Sequence, residues 1–289
     1  MFFLILFLFT QSKELEIWAK ITTQGVKRKI PITIADFNIE KELINNYSSF
    51  AQEIKKIIIN DLDFSLYFKI CYPESNKIYS TDEKKIDFKG WRTTGADILV
   101  CGDVSLKKKK IFVRIRLYEL NIQKLITKKE YEYSLEINLR QFAHKISDDI
   151  IKILTGNDGV SHTKIVFLVK RGTGKEIMLC DYDGYNLQQL TNDGKLKLSP
   201  EWSKKGDKII YSAYDNNILK IYLYELNIKK TKILYGEKGI SATPTFSWDD
   251  KYIAFSMAQE GNMNISLIPS TGGKPQKITY TSSVAVSPS

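Results

Sequence analysis

The chain has 289 residues, 43% hydrophobic and 26% charged, which is enough apolar material for a normal core and excludes global disorder. Its formal net charge is +10, but lysine is spread along the whole length beside many Ile and Asn, so charge alone does not point to nucleic acid. Three widely spaced cysteines (Cys71, Cys101, Cys180) without a CxxC pair, and two histidines (His144, His162), leave little for zinc, thioredoxin-type or histidine-based chemistry.

Residues 1–12 open with an apolar run from Phe2 to Phe9 that is too short to cross a bilayer as a helix. It fits the hydrophobic part of a signal peptide, with Thr10 and Ser12 as small residues ahead of a cleavage site, although the first cation is Lys13. A buried N-terminal strand is the other reading.

Residues 13–156 read as a mixed α/β domain. Leu15–Ile21 alternates like a strand, and Ile30–Phe37 is a second one rich in Ile and Thr. From Ile39 to Asp61, residues Leu43, Ile44, Tyr47, Phe50, Ala51, Ile54, Ile57 and Ile58 recur at helical spacing, which predicts an amphipathic helix lying on a sheet. Leu66–Tyr72 is a strand stopped by Pro73, and Ile86–Thr93 a short helix. Ile98–Ser105, Ile111–Leu120 and Leu125–Ser134 are three successive strands, the first turn carrying a solvated lysine run from Lys107 to Lys110. Asn138–Leu154 is a second amphipathic helix, ended by Thr155-Gly-Asn-Asp-Gly159. Cys71 and Cys101 fall in strand-like runs: they form a disulfide if the strands align them, and are buried free thiols if not.

From residue 157 the pattern becomes a repeat. Lys164–Lys170, Lys208–Tyr214 and Tyr252–Ala258 are alike and lie 44 residues apart. The segments after them keep that spacing without a gap, and so do Pro200, Pro244 and Pro288. A repeat of roughly 40–45 residues built from short strands is the pattern of a β-propeller blade. A single blade has two apolar faces and buries them only by stacking on neighbours. Trp202 and Phe246, at equivalent positions, are expected between blades. The fold class is therefore two-domain α+β, a mixed α/β sandwich domain followed by a partial propeller of about three blades. Three blades cannot close a ring, so the expectation is a C-terminally truncated chain, the alternative being closure by oligomerisation or by a second polypeptide.

Leu179-Cys-Asp-Tyr-Asp-Gly-Tyr-Asn186, then Gln188-Gln-Leu-Thr191 and Leu198-Ser-Pro-Glu-Trp-Ser203, resemble the first propeller blade of the TolB family. Ile21-Thr-Thr-Gln-Gly-Val26 with Ile30-Pro-Ile32, Thr94–Val100 with Gly102, and Ile153-Leu-Thr-Gly156 resemble its N-terminal strands and inter-domain junction. The resemblance runs from about residue 14 to the end, with a replaced loop at Asn76–Lys85 and heavy lysine enrichment as departures. It implies a six-bladed propeller type and a non-catalytic periplasmic adaptor of the Tol-Pal envelope system; no cofactor is expected, and the residues show no metal constellation. Its implied role is in outer-membrane integrity, in membrane invagination during cell division and in protein import. The implied partners are the lipoprotein Pal and TolA, with other outer-membrane proteins as further candidates and no nucleic acid.

The resemblance also implies sites. TolA would engage the extended segment Glu14–Gly25, where Glu14, Leu15, Glu16, Ile17, Trp18 and Ile21 alternate in the manner of a strand that adds to a partner's sheet. The other reading of that segment is an ordinary first strand of its own sheet. Pal would meet the loops before each repeat proline, at Ile240, Thr243 and Val286, with Ile240 departing from the polar residue expected there. Plain surface turns are the alternative for these loops.

The rival function is the propeller portion of a prolyl-oligopeptidase-like peptidase without its catalytic domain. That class needs a Gly-x-Ser-x-Gly elbow, and the sequence has none. Gly172-Thr-Gly-Lys175 misses the phosphate-loop pattern, since Val169 stands at the first glycine position and no Ser or Thr follows the lysine. Asp148-Asp149 and Asp249-Asp250 are explained by a helix face and a turn. A third reading, a scaffold holding a ligand in the propeller channel, needs more blades than the sequence contains.

Overall fold

A computed structural model describes residues 28–74, 77–108, 110–134, 138–237, 239–259, 262–280 and 283–289. The signal peptide and the strand expected at Leu15–Ile21 lie outside the described residues. The chain divides into two compact units, Met1–His162 and Thr163–Ser289.

The first unit contains β1 (Ile30–Ile34), β2 (Asn38–Ile39), α1 (Ile44–Phe64), β3 (Phe68–Ile70), α2 (Phe88–Arg92), β4 (Ile98–Lys107), β5 (Lys110–Glu119), β6 (Lys124–Tyr133) and α3 (Leu139–Thr155). The sheet order is β3-β1-β4-β5-β6, with β2 also on β4. β1 runs parallel to β3 and β4, whereas β4, β5 and β6 form an antiparallel meander. Side chains alternate across this sheet. Ile98, Val100, Ile111, Val113, Ile115 and Leu117 face α1 and α3, whose Ile54, Ile57, Ile58, Ile146 and Ile150 complete the main core. On the opposite face Leu99, Cys101 and Tyr118 pack with Trp91 of α2.

The helix expected from Ile39 starts later, at Ile44 behind a 3-10 turn at Lys41–Leu43, because Asn38 and Ile39 pair with Asp103 and Val104 of β4. Helix α1 also overruns its expected end. It closes at Ser65, and Leu66 takes a left-handed conformation (φ 65°), so the next strand starts only at Phe68. Helix α3 begins at Asn138, whose side-chain oxygen accepts the Arg140 N–H at 2.8 Å, and ends at Gly156 (φ 76°). Gly102 is required by a close approach: a Cβ there would meet the Phe37 ring at 2.5 Å.

The cysteines are free thiols, with Cys101 and Cys180 buried. Cys71 follows β3 and Cys101 is on β4, on opposite sides of β1. Two strand spacings are about 9.5 Å, beyond the reach of a disulfide. Burial pushes the Cys101 thiol up to about 12.

The second unit is a run of propeller blades. Its first blade is β7 (Lys164–Arg171), β8 (Gly174–Asp181) and β9 (Gln188–Gln189). The next is β10 (Lys197–Trp202), β11 (Lys208–Asp215), β12 (Ile218–Glu225) and β13 (Lys230–Tyr235). The third is β14 (Ile240–Phe246), β15 (Tyr252–Gln259), β16 (Asn262–Pro269) and β17 (Gln276–Lys277). The repeat is exact at the level of register: Lys164 pairs with Asp181, Lys208 with Glu225 and Tyr252 with Pro269. Blades two and three are linked by a parallel contact between Leu219 and Ile240.

Apolar clusters fill the spaces between blades, as stacking demands. Ile177 of the first blade packs with Ile209, Tyr211, Tyr222 and Tyr224 of the second, and Trp202 lies against this cluster. Ile210, Ile221, Leu223 and Leu234 of the second blade pack with Phe246, Ile253, Phe255 and Ile268 of the third. Both expected wedge aromatics thus sit between blades.

Candidate functional site

The loops before the repeat prolines have a shared backbone. Ser199, Thr243 and Ser287, each directly before a proline, all have positive φ, at 48°, 47° and 56°. The β10–β11 ladder shifts register between Leu198 and Glu201, and the β14–β15 ladder shifts at the equivalent place, between Ala242 and Thr245. The cause is local. Proline disfavours a right-handed α conformation in the residue before it and has no N–H for a ladder bond. A bulge removes both residues from the ladder and leaves the first in the left-handed region. For Thr243 this is an uncommon state, because a β-branched side chain is strained at positive φ.

The expected contact residues lie on or beside these bulges. Ile240 opens β14 and is 43% exposed, Thr243 is half-buried in the bulge, and Val286 is 50% exposed. Thr243 and the segment around Val286 meet at Ser256 of β15. Ser256 Oγ lies 2.8 Å from Thr243 Oγ1 and accepts the Ser287 N–H at 3.0 Å. Ala285 N–H donates to Met263 O at 3.0 Å, so Val286 stands between two anchored neighbours. Glu14, Leu15, Glu16, Ile17, Trp18 and Ile21 lie outside the described residues, so they are not placed relative to this group.

Polar keys hold adjacent blades in register around the bulges. Glu201 Oε1 accepts Thr245 Oγ1–H at 2.7 Å, next to the bulge. Asp250 takes the N–H groups of Lys204 and Lys205 at 2.7 and 2.9 Å, joining the second and third blades. Between the first and second blades Lys197 is fully buried and donates to Glu176 Oε2 at 2.9 Å and to Asp193. Glu176 also accepts Thr191 Oγ1–H at 2.6 Å and Gly194 N–H at 2.8 Å. Burial would push the Glu176 carboxyl up, but Thr191, Lys197 and Gly194 together hold it below its ordinary value. Sequence reading missed these keys and the role of Ser256. A signal existed for Ser256, since serine recurs one repeat earlier as Ser212.

The first unit carries an open groove of about 640 Å³ lined by Asn38, Thr81, Asp103 and Arg116 among others. Its buried guanidinium makes four hydrogen bonds: Arg116 donates twice to Asp103 at 2.9 Å, once to Thr81 O and once to Tyr118 Oη. These bonds tie the Thr81 loop to the sheet. His144 Nδ1, on α3, lies 2.8 Å from Asp61 Oδ2 on α1, a buried polar link between the two helices.

Comparison with known proteins matches residues 20–126 to the TolB amino-terminal domain and residues 151–289 to the TolB beta propeller domain. The Tol-Pal system protein TolB of Nitrosomonas europaea is 31% identical over 243 residues, covering 81% of this chain and 55% of that protein. Its counterpart in Rickettsia prowazekii is 32% identical over 242 residues, covering 80% and 53%. The crystal structure of TolB from Acinetobacter baumannii shares the fold at a TM-score of 0.71 and 22% identity, covering 87% of this chain and 61% of that one. The chain spans about half the length of the curated relatives it matches.

Proposed function

The chain belongs to the TolB family, and from that premise we propose that it is a non-catalytic periplasmic adaptor of the Tol-Pal envelope system. In this reading it binds the lipoprotein Pal through the loops ahead of the repeat prolines, and TolA through the extended segment Glu14–Gly25. Its role is to hold outer membrane and envelope machinery together, including during invagination at division. Among the described residues no helix is long and apolar enough to cross a membrane, and the apolar run at residues 1–12 is the proposed export signal.

The observation that carries the reading is the positive φ repeated before each proline, at Ser199, Thr243 and Ser287, with a bulge at the first two and half-exposed Ile240 and Val286 nearby. Strained backbone on a rigid β scaffold is a common setting for a recognition surface. The peptidase alternative is disfavoured by residues 20–126, which match the TolB amino-terminal domain. Titrating the chain with the soluble domain of Pal tests the proposal. Saturable binding that Val286→Asp weakens about tenfold or more supports it, a charge in a desolvated contact being unfavourable. Absence of binding by the wild type overturns it. For TolA, deletion of Glu14–Gly25 is expected to abolish binding while leaving the thermal melt unchanged. Retained TolA binding overturns that assignment.

A further inference from the structure

Ser256 is 1% exposed and lies opposite Ala242 in the β14–β15 ladder. One small hydroxyl there contacts two separate loops, Thr243 through its side chain and Ser287 through its backbone N–H. Because Ser256 Oγ accepts from Ser287, its own proton is available to Thr243 Oγ1. Both residues it holds have positive φ, and the strain at Thr243 requires an external restraint to persist.

The equivalent position one blade earlier shows that this link is not automatic. Ser212 is also fully buried and lies opposite Leu198, next to the Ser199 bulge. Its hydroxyl has no hydrogen-bond partner among the described residues. The same residue type in the same ladder position thus ties two loops together in the third blade and none in the second.

We propose that Ser256 is a positioning residue for partner binding. It fixes Thr243 and, through Ser287, the exposed side chain of Val286 before the partner arrives. A partner meeting a fixed surface does not have to order the loops on binding, and that saving appears as affinity. The inference rests on the partner-binding reading above, and Ser256 itself touches no partner.

Isothermal titration of the soluble Pal domain into the full chain tests it, with a thermal melt of each variant alongside. Ser256→Ala removes the bonds to both Thr243 and Ser287 and is expected to weaken binding about tenfold or more. Thr243→Val keeps the shape of the side chain, removes the same bond, and is expected to weaken binding comparably. In the double variant the loss should not exceed that of Ser256→Ala, because that change already removes the bond that Thr243→Val removes. Ser212→Ala should leave affinity unchanged. Wild-type binding with undiminished affinity in Ser256→Ala overturns the inference and leaves the proposed function standing. No binding by the wild type overturns both. If Ser256→Ala folds poorly, Thr243→Val decides alone, and undiminished binding by that variant overturns the inference.

Discussion

Lys197 has no solvent exposure, and among the described residues its ammonium is compensated by Glu176 and Asp193. Removing one partner of a buried pair leaves the other charge uncompensated, which costs about 3–5 kcal/mol. Lys197→Met is therefore expected to lower unfolding stability by about that much at neutral pH, measured by urea denaturation. The pH dependence has a definite sign. Glu176 and Asp193 are both held below their ordinary carboxyl values in the folded chain, against the upward push of burial. A depressed carboxyl lends stability that is complete above its unfolded value and is lost as pH falls through the folded value. In Lys197→Met, Glu176 loses its counter-charge and keeps the bonds from Thr191 and Gly194, so burial weighs more heavily against its charged form and acid relieves part of the penalty. The stability gap between wild type and variant should narrow from about pH 7 to about pH 3, and a constant gap would contradict the assignment.

Among the elements, α3 was the most legible in sequence, because its apolar stripe, its Asn138 cap and its terminal Gly156 all agree. Asn138→Ala should cost about 1 kcal/mol by exposing the Arg140 N–H, read as a drop in the thermal midpoint. The start of α1 was less legible. Ile39 fits the helical stripe, but it pairs with Val104 of β4, a partner more than sixty residues away. Long-range pairing overrode local periodicity there. In the second unit Phe246 wedges the second blade against the third. Phe246→Ala should destabilise that unit by about 3–5 kcal/mol, seen as an earlier melt of the propeller signal.

At the scale of the whole molecule, apolar side chains remain at the surface of the first and third blades. Ile165, Tyr185 and Leu187 are exposed on one, and Ile278, Tyr280 and Val284 follow on or after the other. A blade buries its faces only against neighbours, so exposed apolar surface of this kind favours association. The 289-residue chain expressed alone is expected to self-associate, with a sedimentation profile that shifts with concentration. A monodisperse monomer with a single cooperative melt would contradict this.

The sequence by itself determined the repeat, because a spacing of 44 residues maintained without a gap places equivalent side chains on equivalent strands. It also determined the two helices, the meander from β4 to β6 and the inter-blade places of Trp202 and Phe246, all of which follow from local apolar periodicity. Only the tertiary structure decided which polar residues are buried. Lys197, Glu176 and Arg116 look like surface residues in sequence, and Ser256 is marked only by its recurrence at the Ser212 position. Their burial depends on strands and loops that become adjacent when the chain folds, and burial is tolerated because each finds hydrogen-bond partners there. The left-handed backbone at Thr243 was hidden for the same reason. A β-branched residue is a poor candidate for that conformation, and it is held there by Ser256 on the neighbouring strand.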